Sequence, residues 1–393
     1  MIARMRLLLS RMDWAGLLAT VALLVTGVFF IFSAGHAQGP TGQTLYLRQL
    51  VWAGLGMFCF LAFALTDYHH WYRWAWWLYL AALLLLLLVF VPGIGVRMYG
   101  ARRWIQLAGI RLLQPAEMAK LALIIILARV YGAPGVWPRS RWLLVLALML
   151  TALPVMMVAA QPDLGTASVF VPVLASILLT AGVPVRSLSG LAALAGLLLA
   201  LLLILLLAPP ALGWSEERHD GLLRSCGISS YQQDRIMVFL RRDADPLGAG
   251  WNKAQSQIAV GSGRLWGKGF RRGTQNILGF LPRTVAPNDF IFSVIAEEKG
   301  FMGALGIIIL FAVVLHGAFR AALQAPDRIG RLLCVGVAAL IFCHVFVNIA
   351  MTIGLLPITG LPLPLLSYGG TFMISVMIAL GLVQSVYIRG ERN

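Results

Sequence analysis

"WAGLLATVALLVTGVFFIFS", Trp14 to Ser33, is an apolar run without a single charged residue. At 1.5 Å of rise per residue, about 20 such residues cross the roughly 30 Å hydrocarbon core of a bilayer as one helix. The run follows "MIARMRLLLSRMD" and holds no small-residue cleavage site, so it is expected to be retained as a membrane helix.

Outward from this stretch, runs of similar character occur at about 50–66, 74–91, 115–131, 142–160, 165–181, 190–208, 303–323, 330–351 and 371–388. The expectation is an all-α polytopic membrane protein, a single domain over 1–393 with ten spans and a long extracytoplasmic loop at 209–302. Composition agrees: 60% of the 393 residues are hydrophobic and only 12% charged, which excludes a soluble multi-domain protein. The four cysteines fall mostly in apolar runs and read as small buried hydrophobes. The net charge of +16 is scattered among loops and never forms an aromatic-interleaved basic face, so nucleic acid is not expected as a partner.

With both termini cytoplasmic, Arg4, Arg6, Arg11, Arg73, Arg129, Arg139, Arg141, Arg186, Arg320, Arg328, Arg331, Arg389 and Arg392 lie inside, as the positive-inside rule demands. The outward loop 92–114 breaks the pattern, carrying Arg97, Arg102, Arg103 and Arg111 without an acid. Such an excess suits either lipid headgroups or an anionic ligand at the outer surface. Within the long loop, "DRIMVFL" and "AQSQIAVGSGRLWG" could form short amphipathic or re-entrant helices.

Few residues can carry chemistry. Glu117 and Lys120, three apart on one helical face, read first as a structural ion pair. His344 and Asn348, four apart, suit hydrogen bonds to another helix. Asp163 after Pro162 is good N-cap chemistry. The glycine-rich "GAGWNKAQSQIAVGSGRLWGKGFRRGTQ" fails both nucleotide fingerprints, having Ser262 and Gly269 where a P-loop needs Gly and Ser or Thr. It keeps a flexible backbone with Lys253, Arg264, Lys268, Arg271 and Arg272, suited to an anion or simply solvated. In "FLPRTVAPNDFIFSVIAEEKG", Asp289 abuts Phe290, Ile291 and Phe292; partial desolvation favours a carboxylate able to accept a proton. Glu297 and Glu298 follow closely and could bind a cation or fix the arginines.

The stretches "GARRWIQLAG", "QPAEMAK", "QPDLGTA", "QSQIAVGSGRLWGKGFRRGTQ", "DFIFSVIAEEKGFMG" and "GLLPITGLPLPLLSYGG" resemble, in order and spacing, the bacterial shape, elongation, division and sporulation (SEDS) family. "GTQ" after "GKG" and the short termini resemble its elongation branch more than its division branch. The resemblance covers almost the whole chain. It implies a ten-helix glycosyltransferase of the bacterial inner membrane that polymerises lipid II on the periplasmic side, with a class B penicillin-binding protein as partner. Asp289 in "NDFIF" matches the family's essential aspartate, with Asn288 in place of the usual Thr and Arg283 where an acid is common. On this reading Asp289 is the general base. Arg48, Arg102, Arg103, Lys120, Lys268, Gln275 and Ser367 face the substrate, and Glu117, Asp163, Glu297 and Glu298 are structural or paired. A Mg or Mn ion could share the diphosphate charge. The rivals are a flippase for the same lipid, a division-type paralogue and a non-catalytic scaffold.

Overall fold

The computed structural model describes residues 10–36, 42, 44–98, 101–107, 110–211, 219, 221–223, 237–239, 248–282 and 285–390. Arg283, most of "DRIMVFL", and the terminal Arg4, Arg6 and Arg392 lie outside them. In chain order the elements are α1 (Trp14–His36), α2 (Leu45–Leu65), α3 (Tyr68–Arg73), α4 (Ala75–Leu88), β1 (Gly95–Met98), β2 (Ala101–Leu107), β3 (Ile110–Leu113), α5 (Pro115–Gly132), α6 (Arg141–Ala159), α7 (Leu164–Ala181), α8 (Val185–Ala211), α9 (Ala249–Ser262), α10 (Thr274–Ile277), α11 (Ile291–Leu323), α12 (Arg328–Thr352) and α13 (Gly370–Arg389).

Each expected apolar segment overlaps a helix. Among the described residues seven helices, α1, α2, α6, α7, α11, α12 and α13, are long and apolar enough to cross a membrane. The remaining three are less plain as spans. Helix α4 has 14 residues, α5 carries Glu117, Lys120 and Arg129, and α8 opens with the short apolar stretch Val185–Leu197.

Helices α5, α12 and α13 form the buried centre: α13 packs on α2, α12 on α7, α5 and α11, and α1 on α11. Around them α2, α4 and α6 turn Phe58, Trp77, Leu84, Trp142 and Met149 outward. An exposed apolar belt around a helical bundle, with backbone hydrogen bonds satisfied inside each helix, suits hydrocarbon rather than water.

The sequence reading of 92–114 as a plain loop is corrected. It holds a three-stranded antiparallel sheet in the order β1-β2-β3, pairing Val96 with Trp104 and Ile105 with Leu113, with bulges at Val96/Arg97 and Ile105/Gln106. Strands of four, seven and four residues are too short for alternation to stand out from neighbouring apolar runs.

The second correction concerns α11, which begins well before the expected 303. Its helix is broken at Gly300, whose φ of 66° and ψ of −165° only glycine adopts readily. The break frees main-chain groups, and the glycine-rich segment pairs them. The amides of Lys268 and Gly269 donate to the carbonyls of Glu297 and Glu298 at 3.0 and 2.9 Å, and those of Phe301 and Met302 donate to Arg264 and Leu265 at 2.8 and 3.1 Å. Side chains at Gly267 or Gly300 would collide with this seam. The glycines that suggested an anion cradle therefore serve first to seal a helix break. Helix α9, ahead of them, is packed against α11 and α12 as part of the bundle.

Candidate functional site

Asp289 sits at one end of the bundle, in a turn between Val285 and the start of α11, half-buried above the buried Phe290, Ile291 and Phe292. Two polar side chains fix this turn through its main chain, and a third anchors the segment that carries one of them. Asn348 of α12 donates its side-chain N–H to the Asp289 carbonyl at 2.9 Å and to the Leu361 carbonyl at 2.7 Å. The Ser367 hydroxyl donates to the Asn288 carbonyl at 2.6 Å while accepting from the Leu363 amide at 2.8 Å. Gln49 of α2 donates to the Ser367 carbonyl at 3.3 Å and accepts from the Gly369 amide at 3.4 Å. The Tyr368 amide adds a bond to the Pro287 carbonyl at 2.9 Å.

The prolines of 354–369 prevent a regular helix, and this non-helical segment folds inward as the lining that holds Asp289. It also reaches α7, where Gly165 leaves room for the Thr359 carbonyl. Ser367 is thus buried and engaged with main chain. Asn348 bonds loop carbonyls rather than another helix. Gln49 was not singled out by sequence, because a glutamine within an apolar run carries no spacing signal.

Beneath this lining lies a buried ionic cluster. Lys120 donates to Glu117 Oε1 at 2.9 Å and to His344 Nε2 at 2.8 Å, its ammonium 5.7 Å from the centre of the Phe372 ring. Lysine has only donors, so Nε2 of His344 accepts and its Nδ1–H donates to the Pro362 carbonyl at 3.2 Å. Lys120 and Glu117 are only 1% and 3% exposed, so neither opens onto the mouth.

The sheet brings in a second pair. Asp163 caps α7 through a 3.2 Å bond from the Thr166 amide, and its other oxygen lies 3.4 Å from Arg103. The sequence view of these arginines as remote from any acid is corrected for Arg103: Asp163 is 60 positions on in sequence and adjacent in the fold. Arg102, the next residue on β2, is exposed, as is Arg48 at the start of α2.

Glu297 Oε1 accepts from Lys268 Nζ at 2.6 Å, from the Thr274 hydroxyl at 3.0 Å and from the Gln275 amide at 3.0 Å. Glu298 accepts from Ser33 at 2.5 Å and from the Arg271 amide at 3.0 Å. Both acids are buried and tie the glycine-rich segment to α11. Lys268 and two further donors occupy one oxygen of Glu297 and both oxygens of Glu298 are engaged, while Glu297 Oε2 is buried without a hydrogen-bond partner among the described residues. Among the described residues no three His, Cys, Asp or Glu side chains gather as ligands.

At the opposite end, His69 of α3 places its ring nitrogens 2.8 Å from Asp67 and 2.7 Å from Asp327, and Arg389 lies 3.7 Å from Asp67. Burial alone would raise the Asp67 carboxyl; the bonds from the His69 amide and ring and the charge of Arg389 outweigh it and hold it below its ordinary value.

A membrane bundle with an irregular, buried lining around one half-buried carboxylate at its mouth defines a polytopic membrane protein with a polar site at one end. The chain belongs to the cell cycle protein family FtsW/RodA/SpoVE, whose model matches residues 15–391. The peptidoglycan glycosyltransferase MrdB of Escherichia coli (strain K12) is 36% identical to it over 378 residues, covering 96% of this chain and 93% of its own length. The peptidoglycan glycosyltransferase RodA of Treponema pallidum (strain Nichols) is 32% identical over 434 residues, covering 97% and 98%. A chain from a solved peptidoglycan synthase complex that coordinates polymerization and crosslinking matches with a TM-score of 0.74 at 32% identity, covering 97% of this chain and 99% of that one. The rod shape determining protein RodA of Thermus thermophilus matches at 0.65 with 29% identity, covering 97% and 98%.

Proposed function

We propose that the protein is a peptidoglycan glycosyltransferase of cell elongation that polymerises lipid II, with Asp289 as its general base. The observation that carries the reading is the Asp289 turn, held through its own main chain by Asn348 and through Asn288 by Ser367 in a half-apolar mouth. The likeness to MrdB and RodA supports it.

The attacking sugar hydroxyl is a weak nucleophile. As its oxygen bonds to the anomeric carbon of the donor, Asp289 accepts the hydroxyl proton. The bond from that carbon to the diphosphate oxygen breaks, and its electron pair leaves with the diphosphate. One base suffices for such a displacement, which inverts the anomeric centre. Arg102 and Arg48, both exposed, would supply counter-charge to the leaving group. Any Mg or Mn ion would arrive with the diphosphate.

The protein is read as crossing the bacterial inner membrane ten times, both termini cytoplasmic, with Asp289 on the periplasmic side and the long loop between α8 and α11. Arg129, Arg141, Arg186, Arg328 and Arg389 lie at the helix ends away from Asp289, which supports that orientation. A class B penicillin-binding protein is the proposed partner, a reading supported by the likeness to the synthase-complex chain. A flippase would need ionised side chains along a hydrated path, whereas Glu117 and Lys120 are sealed.

The test is gel analysis of glycan product from purified protein with labelled lipid II, with and without the partner. Asp289→Asn should fold and insert but lose about 10²–10⁴-fold in rate. Near-normal polymer from that variant, free of other polymerases, would refute the assignment.

A further inference from the structure

Sealing the Gly300 break engages most of the glycine-rich segment, but not the side chains of Arg271 and Arg272. Arg271 and Arg272 project into a cavity of about 710 Å³ between that segment and the end of α1, whose wall also includes Ser33, His36, Phe270 and Glu298. Glu298 does not neutralise them. Its oxygens accept from the Ser33 hydroxyl and the Arg271 main-chain amide, and neither guanidinium forms an ion pair with a carboxylate among the described residues. The Arg271 guanidinium lies 5.3 Å from the centre of the Phe32 ring and donates to His36 Nε2. Its backbone is held at a φ of 59°, a left-handed conformation costing a non-glycine residue about 1–2 kcal/mol. Strain retained at a residue that displays a cation into a cavity points to a bound anion.

The volume lies within the range of small-molecule sites, about 300–1,000 Å³. Its distance from Asp289 selects the ligand. Ile291 to Glu298 of α11 spans about 10 Å of helix at 1.5 Å per residue, so a diphosphate here cannot be the leaving group at the carbon under attack. It can belong to the other substrate molecule, whose attacking hydroxyl stands a disaccharide's length from its own diphosphate. We propose that this cavity binds the diphosphate of the lipid-linked acceptor, positioning its sugar hydroxyl at Asp289. The inference rests on the glycosyltransferase reading and gives Arg271 and Arg272 a role separate from that of Arg102.

The test uses the purified full chain in nanodiscs with a short-chain polyprenyl diphosphate as probe, measured by equilibrium dialysis. Arg272→Ala removes an exposed side chain, and Arg271→Gly relieves the strained backbone, so both should fold. The combined variant should bind the diphosphate about ten- to hundredfold more weakly, the size of lost charge-assisted hydrogen bonds. Asp289→Asn should bind it as wild type does. In polymerisation the combined variant should raise the apparent KM for lipid II about tenfold with kcat within about twofold. Equal binding by wild type and variant overturns the proposal, as does displacement of the probe by phosphatidylglycerol at equal concentration, which would make the cavity a general lipid site. Wild-type polymer with unchanged binding and KM in the variant sinks the cavity alone; absence of wild-type polymer sinks the glycosyltransferase reading, and the binding arm still judges the cavity.

Discussion

Replacing Lys120 by Met separates a structural charge from a substrate-binding one. Methionine fills nearly the same space but removes the ammonium that Glu117 Oε1 and His344 Nε2 share at 2.9 and 2.8 Å. Glu117, 3% exposed, would then keep a buried charge without its counter-ion. Removing one partner of a buried pair costs about 3–5 kcal/mol, a large part of the about 5–15 kcal/mol that holds a typical domain folded. Glu117→Gln should also cost about 3–5 kcal/mol, because it leaves the Lys120 ammonium, 1% exposed, buried without a counter-charge. The double variant, with neither charge, should recover most of the loss, since an apolar or neutral pair of similar volume is often as stable as the ion pair. Reversible unfolding in mixed detergent micelles, followed by the fluorescence of the 12 tryptophans, gives all three stabilities and closes the double-mutant cycle. If Lys120→Met is as stable as wild type yet makes no polymer, the structural reasoning fails and the ammonium acts on substrate.

The two neighbouring arginines of β2 should separate in the same assays. Arg103→Ala leaves the buried Asp163 without its cation and should lower stability by about 3–5 kcal/mol, whereas Arg102→Ala should stay within about 0.5 kcal/mol of wild type while raising the apparent KM for lipid II. Gly300→Ala sets a side chain against Leu265 and Gly267 in a conformation open to glycine, so folded yield by size-exclusion chromatography should collapse; a normal monodisperse peak would show that the break can be rebuilt. The Asp67 carboxyl is held below its ordinary value, so its stabilisation is complete above the unfolded-state pKa and disappears as pH falls through the lowered one. Thermal melts of wild type and Asp67→Asn should accordingly differ at pH 7, by no more than about 1 kcal/mol for so exposed a group, begin to approach one another near about pH 4, and meet only below the lowered folded-state value.

Sequence by itself determined the class of fold. A residue's affinity for hydrocarbon is a local property, so Trp14 to Ser33 and the runs like it could be read as helices without knowing their neighbours, and the "NDFIF" stretch marked Asp289 in the same local way. What joins distant segments was not legible. The pairing of Arg103 with Asp163, of Lys120 with His344 and of Ser33 with Glu298 spans 60, 224 and 265 positions, and no periodicity encodes such separations. The glycine-rich segment shows the limit most plainly. Its composition equally suited a loop around an anion and a strap across a broken helix, and only the packed structure, where the carbonyls freed at Gly300 need donors, decided that it is first a strap. The arginines left over from that task then face a cavity because the seam fixes their backbone, a consequence of tertiary hydrogen bonding that residue types alone do not carry.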